Sequence, residues 1–512
     1  MNSADTTPPL LAAVIDIGSN AIRLRIGGAD SNGGIEAIHY HREPVRLGSD
    51  AFSRGILSDD TIDRAVEAFH TFRSMIDQYP VKAIRATGTS ALRSASNAAR
   101  LVKRVKKETD IRIEIISGEE EARLIHAAVR KNIDNFDRLN AILIDIGGGS
   151  VEITLSREGE IVALETLKMG TVRLLEMFNN VSHDDFTQLL NEYILSMHQK
   201  LGEEIHNSDI DLCIGTGGNI ESLGSLAVSE LDYPEANRLD YKGIKKLCQK
   251  LSALSYSERV EKLQLRPDRA DVVVPAALVL KSLMKRFRPA DLGIPGTDLA
   301  TGILIDLLYG DQDELEHPGH QALAWGASLA RRFHADLKHA EQVRFIVTEL
   351  YRQLAPHHGL TPRDDLLLQM AALLHEVGMS IRPAGHHRHA HYIINASPMI
   401  GISSEEKALL ATIVRYHRKR FPDSKHTPFS QLDPDQQKRA EKLIVILRLA
   451  IALNKERRGN VHALRLLNLK SCAELRLEGE GDLLLEVWAA NKSASLFKRI
   501  FDQHLQVTTE EG

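Results

Sequence analysis

Cysteine is scarce: three residues in 512, at Cys213, Cys248 and Cys472, odd in number and with no Cys-x-x-Cys pair. That pattern excludes a disulfide framework and a zinc knuckle. Aromatic residues make up 5% of the chain, and no apolar run approaches the roughly 20 residues that a bilayer span requires. The opening Met1-Asn2-Ser3-Ala4-Asp5 has no basic segment ahead of an apolar one, so a cytoplasmic location is expected, with peripheral contact at the inner face of the membrane as the other placement. Positive charge is not in excess either. The net charge is −5, so no global basic field marks a nucleic-acid partner, and a polyanion would need a local basic patch. There is no Gly-Lys-Ser/Thr ending to a glycine loop and no Gly-x-Gly-x-x-Gly after the first apolar run, which argues against P-loop and Rossmann nucleotide binding.

What is present is one short pattern, twice. Asp16-Ile17-Gly18-Ser19-Asn20 and Asp145-Ile146-Gly147-Gly148-Gly149-Ser150 each follow an apolar run, Leu11–Ile15 and Ala141–Ile144, and each opens a second, alternating run. Runs of this length between turn residues read as strands covered on both faces. The glycines let the chain turn tightly and leave N–H groups bare for phosphate oxygens, although a plain hairpin uses the same residues. Two copies imply two related half-domains with a phosphate site between them. The copies are not equivalent, because seven residues after each Asp one has Arg23 and the other Glu152. Glu152 beside Asp145 suits a hard cation such as Mg²⁺, and Arg23 suits the phosphate charge; two solvated strand faces would look the same.

Three further segments could serve the same chemistry. In Ser117-Gly118-Glu119-Glu120-Glu121-Ala122-Arg123, Ser117 and Glu120 fit a capping box and Glu119 can pair with Arg123 four residues on. Glu121 is left without a local partner, and is either a general base or a charge favoured by the helix dipole. Thr87-Gly88-Thr89-Ser90-Ala91-Leu92-Arg93 offers hydroxyls and a guanidinium, with helix capping as the competing use. Gly215-Thr216-Gly217-Gly218 is another candidate phosphate loop.

Length predicts three or four domains at roughly 150 residues each. Apolar runs alternate with helical patterns to about 310, where Gly310–Gly319 reads as an acidic linker; helical spacing follows from Ala322 to Asn454, and strand-like runs return at Ala473–Glu478 and Leu483–Val487. The expected division is 1–135, 136–309, 310–458 and 459–512.

As a set, these motifs resemble the Ppx/GppA phosphatase family of exopolyphosphatases and guanosine pentaphosphate phosphohydrolases. The resemblance rests on Asp16–Asn20, Ser117-Gly118-x-Glu120-Glu121-Ala122-Arg123, Asp145–Ser150 with Glu152, Leu374-His375-Glu376-Val377-Gly378 and Arg415-Tyr416-His417-Arg418-Lys419. It implies an α/β architecture of two ribonuclease H-like (actin- and sugar-kinase-like) half-domains, then an all-α HD-like domain and a small α+β C-terminal module. It implies removal of the terminal phosphate of inorganic polyphosphate, with guanosine pentaphosphate (pppGpp) as the alternative substrate and ppGpp as a related ligand, Mg²⁺ as cofactor and a homodimer. An actin-like nucleotide switch is the rival of another class. Carried over by motif, the base falls on Glu121, the metal carboxylates on Asp145 and Glu152, and phosphate contacts on Asp16, Gly18, Ser19, Asn20, Arg93 and Gly147, Gly148, Gly149 and Ser150. Ala21 departs from the Ser or Thr of many relatives. The HD-like resemblance implies a His-Asp pair where this chain has His375-Glu376, a substitution that counts against a metal there. His387, Arg388, His389, Arg415, His417, Arg418 and Lys419, with His386, His391, Arg382 and Arg420 nearby, form basic clusters expected to hold a long polyanion.

Overall fold

The computed structural model describes residues 10–509 other than 31–33, 180, 182, 200, 203–204, 206–208, 310–317, 424 and 470–471. The chain forms two compact units, 1–317 and 318–512. Met1 to Asp5 and most of the expected acidic linker lie outside the described residues. Among the described residues no helix is long and apolar enough to cross a membrane.

In the first unit the duplicated motif is a duplicated sheet. Strands β1 (Leu11–Ile17), β2 (Ile22–Ala29), β3 (Ile35–Glu43), β4 (Val81–Gly88) and β5 (Ile113–Ile115) lie in the order β3-β2-β1-β4-β5. The second sheet, from β6 (Asn140–Ile146), β7 (Val151–Arg157), β8 (Glu160–Leu167), β9 (Leu212–Thr216), β10 (Arg238–Leu239) and β11 (Leu292–Gly293), runs β8-β7-β6-β9-β11 with β10 added at the edge. In both, the first strand pairs antiparallel with the second and parallel with the fourth. β1 is buried along its whole length, as an apolar run covered on both faces should be.

Each sheet has its own core. Ile15, Ile22 and Leu24 pack with Phe69 and Phe72 in the first, and Ile142, Ile144 and Ile153 with Val279 and Leu280 in the second. A third core joins the halves: Val14 and Leu143, one from each sheet, meet Leu124, Ile125 and Val129 of the helix Gly118–Asn132 and Ile303 and Leu304 of the helix Leu299–Tyr309. Arg123, 1% exposed, ties these two helices by bonding Glu120 (2.8 Å) and Asp306 (3.1 Å).

The second unit is helical from Pro318 to Ala452, followed by a three-stranded sheet β12-β13-β14 of Val461–Leu469, Cys472–Gly479 and His504–Thr509. The expected strand at Leu483–Val487 is instead a helix, Leu484–Asn491. Asp482 Oδ1 accepts the Leu484 N–H at 2.9 Å and opens the turn, and burial falls on Leu483, Glu486 and Ala490, a helical spacing, while Leu484 and Trp488 face solvent. A continuous apolar run does not distinguish the two periods. β12 and β14 are strands that the sequence reading did not identify.

A Cβ at Gly302 would lie 1.9 Å from the Leu124 carbonyl oxygen, where the two clamped helices cross. Gly302→Ala is therefore expected to force them apart and to lower stability by about 2–3 kcal/mol or more, read as a fall in denaturant midpoint; an unchanged midpoint would refute this crossing.

Candidate active site

The two motif loops are hairpin turns and also the tips by which the halves meet. Gly18 donates to the Ala21 carbonyl (3.1 Å) and Gly147 to that of Ser150 (3.0 Å), the same turn in both copies. The hairpin reading therefore holds for both loops, and both loops also line the cleft between the halves. A Cβ on Gly148 would lie 2.9 Å from Ser19 Cβ, and one on Gly149 2.3 Å from Ser90 Oγ, so only glycine allows this approach. Between the loops lies a cleft of about 440 Å³, lined by Asp16, Gly18, Ser19, Asn20, Glu121, Asp145 and Gly147 to Ser150 among others.

Sheet register decides what the seven-residue spacing means. Asp16 stands opposite Arg23, and Asp145 opposite Glu152, at matching positions of the two hairpins. Arg23 forms an ion pair with Asp16 at 2.9 Å. In the second half the same geometry sets carboxylate against carboxylate. Glu121, from the first turn of Gly118–Asn132, completes the group, with one oxygen each of Glu121, Asp145 and Glu152 within 4.8 Å of one another. Glu152 is 2% exposed, does not line the cleft itself, and its Oε1 has no hydrogen-bond partner. Burial, then the Glu121 charge, pushes Asp145 up to about 7, against a Thr216 hydroxyl that donates to its Oδ1 at 3.0 Å. Burial, with Glu121 and Asp145, raises Glu152 well above the usual carboxylate range. Glu121 is raised by burial and opposed by Arg93.

Several local expectations change in the folded chain. Ser117 caps the helix by accepting the Glu120 N–H (3.2 Å), but the Glu120 carboxylate turns to Arg123 instead of closing a capping box. Arg123 thus pairs three residues back with Glu120, and not with Glu119. Glu121 does have a partner: both Nη atoms of Arg93 reach its Oε2, at 3.1 and 3.2 Å, and Arg93 Nη1 also donates to the Ile116 carbonyl. The structure places Arg93 behind the cleft as an anchor for Glu121, not on its lining. Thr89 and Ser90 do line it; Thr89 occupies the N-cap position of the helix Ser90–Ser94 but makes no side-chain capping hydrogen bond. In the last loop Gly217 and Gly218 face the cleft at the N-terminus of the helix Gly218–Leu231, whereas Gly215 packs on Ile220 and Leu292 and Thr216 holds Asp145.

The sequence reading missed most of the positive charge. Besides Arg23, the cleft is lined by Arg25, Arg42, Arg266 and Arg269. Arg25 makes a two-point pair with Asp298, at 2.8 Å on each oxygen, and Arg42 pairs with Asp268, which also accepts from the Asn20 amide. Buried Arg42 Nε and Arg269 Nε have no partner in the protein. Burial and the neighbouring Arg23 and Arg266 depress Arg269 to about 10. Crowded guanidinium groups with unspent N–H donors are a receptor for a polyanion. No local motif marks them, since Arg42 is on an edge strand and Arg266 and Arg269 flank Pro267 over two hundred residues later.

The basic clusters of the second unit divide. Arg388, Arg418 and Lys419 are exposed and Arg415 and His389 half-buried, but His387 and His417 are 3% and 5% exposed, and burial keeps both neutral near pH 7. These two histidines add no charge to a surface groove: His387 is turned inward by its place on the helix His386–Ala396, and His417 by the chain bend that follows Ser404–Arg415.

Comparison with known proteins agrees with this architecture. Residues 28–310 match the model of the Ppx/GppA phosphatase family, and residues 326–490 that of Ppx/GppA phosphatase, domain III. A Pseudoalteromonas atlantica protein named guanosine-5'-triphosphate,3'-diphosphate pyrophosphatase is 27% identical over 466 residues, 89% of this chain and 88% of its own. Among solved structures, an exopolyphosphatase from Cytophaga hutchinsonii is similar with a TM-score of 0.55 and 27% identity over 59% of this chain and 98% of that one. An Aquifex aeolicus Ppx/GppA family member gives 0.52 and 25% over 60% and 100%. With ribonuclease H-like halves meeting at paired glycine loops and both family models matched along its length, the chain belongs to the Ppx/GppA phosphatase family.

Proposed function

We propose that this phosphatase is an exopolyphosphatase, releasing orthophosphate from the end of inorganic polyphosphate. The observation that carries this reading is the meeting of Glu121 and Asp145, with Glu152 buried behind them, and five arginines, Arg23, Arg25, Arg42, Arg266 and Arg269, along one cleft. The chain's own groups divide the work. Glycine-loop N–H groups and the N-terminus of Gly218–Leu231 hold the terminal phosphate, and the arginines hold those behind it. Glu121, fixed by Arg93 through one oxygen, keeps the other to orient water and accept its proton, and its raised pKa makes it a stronger base than a solvated carboxylate. A metal fits the donor set, since Glu152 Oε1 is buried without a partner and Asp145 is driven toward protonation. Asp145 and Glu152 would hold Mg²⁺, which when bound neutralises charge developing on phosphate oxygens.

A second substrate, pppGpp, is favoured by the name of the Pseudoalteromonas relative. The cleft lining favours the inorganic chain as the better substrate, because among the described residues it carries five arginines and a single aromatic ring, Tyr40, on which a purine could stack. Phosphate release with Mg²⁺ from long-chain polyphosphate is expected to exceed that from pppGpp at equal terminal phosphate; the reverse order would make the chain a pppGpp phosphohydrolase.

Glu121→Gln is expected to lower kcat by about 10²–10⁴ with the fold retained, and turnover near wild type would remove Glu121 as the base. Arg266→Ala, at the exposed side of the ring, is expected to raise KM for polyphosphate about tenfold with kcat little changed, corresponding to about 1.4 kcal/mol of binding.

A pH dependence follows from Asp145. Its pKa in the folded, metal-free chain is about 7, against about 4 when unfolded, so between these values the folded state binds more protons. Stability of metal-free protein is therefore expected to fall as pH rises from 5 to 8, by up to about 3 kcal/mol from this group, and excess Mg²⁺ at pH 8 is expected to restore it. Flat metal-free unfolding curves across that range would contradict the trio's mutual repulsion.

A further inference from the structure

A second cavity of the first unit, of about 460 Å³, shares no lining residue with the active cleft. Both halves build it. Arg46, ahead of the helix Leu47–Ser53, comes from the first half; Leu175, Phe178, Phe186, Leu251, Leu254 and Val274 come from the second and give it an apolar wall. The Phe178 and Phe186 rings meet edge to face at 6.4 Å, which fixes one part of that wall.

The charges around this space are uneven. Arg46 and Asp271 form an ion pair at 2.5 Å across the halves. Arg259 has no ion pair among the described residues, and its Nε donates to the Ser255 carbonyl at 3.3 Å. Burial lowers the Arg259 pKa, and the charge that chiefly opposes this is Asp271, already engaged by Arg46. Two guanidinium groups therefore share one carboxylate. Glu176, the other acid of the lining, is not among the groups that act on Arg259. One half-buried cation thus borders an apolar space without a counter-charge of its own.

Backbone strain marks the same place. Arg46 is left-handed, with φ 58° and ψ 44°, a region that a residue with a Cβ rarely enters, and strain of this kind collects at ligand clamps. Its N–H donates to the Asn20 carbonyl of the first glycine loop at 3.2 Å. Asp271 is the C-cap of the short helix Pro267–Ala270, which carries Arg269 of the cleft. An occupant of the cavity would brace the two halves beside the cleft without entering it.

We propose that this cavity binds a small amphipathic carboxylate, an acyl chain of medium length whose head group pairs with Arg259. Small-molecule sites are cavities of about 300–1,000 Å³ with apolar walls and a few polar anchors, a description this one meets. A carboxylate matches a guanidinium at two points and carries the single charge that is unmatched here. An ammonium head group would meet Arg46 and Arg259 with like charge, and a nucleotide would bring several charges where one has a partner. The acyl chain supplies affinity by leaving water for the wall, at about fourfold per buried CH₂. The site does not depend on which phosphate substrate the cleft takes.

The test is isothermal titration calorimetry of the full-length protein with decanoate. One decanoate per chain is expected, with Kd below about 1 mM and at least about tenfold tighter than decylammonium. Octanoate, two CH₂ groups shorter, is expected to bind about tenfold more weakly. Arg266→Ala is expected to bind decanoate as the wild type does, which separates this cavity from the arginines of the cleft. Arg259→Gln is expected to weaken binding about tenfold. Leu254→Trp, which fills the space, is expected to abolish it, with circular dichroism and Tm reporting the fold of each variant. Absence of saturable decanoate binding by the wild type, equal affinity for decylammonium, or undiminished binding by either folded variant would overturn the proposal.

Discussion

Glu121, Asp145 and Glu152 compete for one buried space. With oxygens within 4.8 Å, a pair of ionised carboxylates repels by about 3–4 kcal/mol at an effective dielectric constant of 20. The first unit holds them together nonetheless, and its strongest tertiary constraints are those that resist their separation. Asp145 and Glu152 are locked opposite each other by the β6–β7 ladder and cannot part without breaking a buried sheet. Glu121 is set by its helix, which the Arg123–Glu120–Asp306 bonds and the close crossing at Gly302 clamp in place, and by Arg93 on one of its oxygens. Folding energy spent elsewhere thus holds together three carboxyl groups whose joint ionisation is unfavourable, which is why all three are raised above the usual carboxylate range.

The duplication explains how such a site arises without new architecture. Both hairpins use the same turn and the same cross-strand register, and both fourth strands set a threonine beside the aspartate, Thr87 next to Asp16 and Thr216 next to Asp145. One difference separates them: Arg23 in the first neutralises its aspartate, while Glu152 in the second compounds the charge. The first half therefore contributes Arg23 to the arginine-lined wall of the cleft and the second contributes the paired carboxylates.

Much of this was legible in the sequence because it is short-range. A hairpin turn, a buried strand and the pleat that sets residue 16 opposite 23 and residue 145 opposite 152 are all decided within about ten residues, so the repeat, the glycine loops and the three carboxylates could be named from local pattern. The two half-domains followed from counting that pattern twice. Where periodicity was ambiguous the reading went wrong: the unbroken apolar run after Gly481 is a helix, and the edge strands around it carried too little contrast to be seen.

The rest belongs to tertiary structure alone. Arg42 and Arg269 line one cleft from positions more than two hundred residues apart, each held by its own contact, to Asp268 and to Asn219, and nothing near either position in the chain marks it as a cleft residue. Arg93 is a candidate phosphate ligand in the sequence, and the fold sets it, from the short helix Ser90–Ser94, onto Glu121. His417 sits in a run of cations that looks like a surface groove, yet the helix ends around it turn its ring onto His386 and His375. Local pattern determined which residues carry chemistry; which of them meet, and in what charge state, was decided by burial and long-range packing, because these set the dielectric and the distances on which ionisation and ligand binding depend.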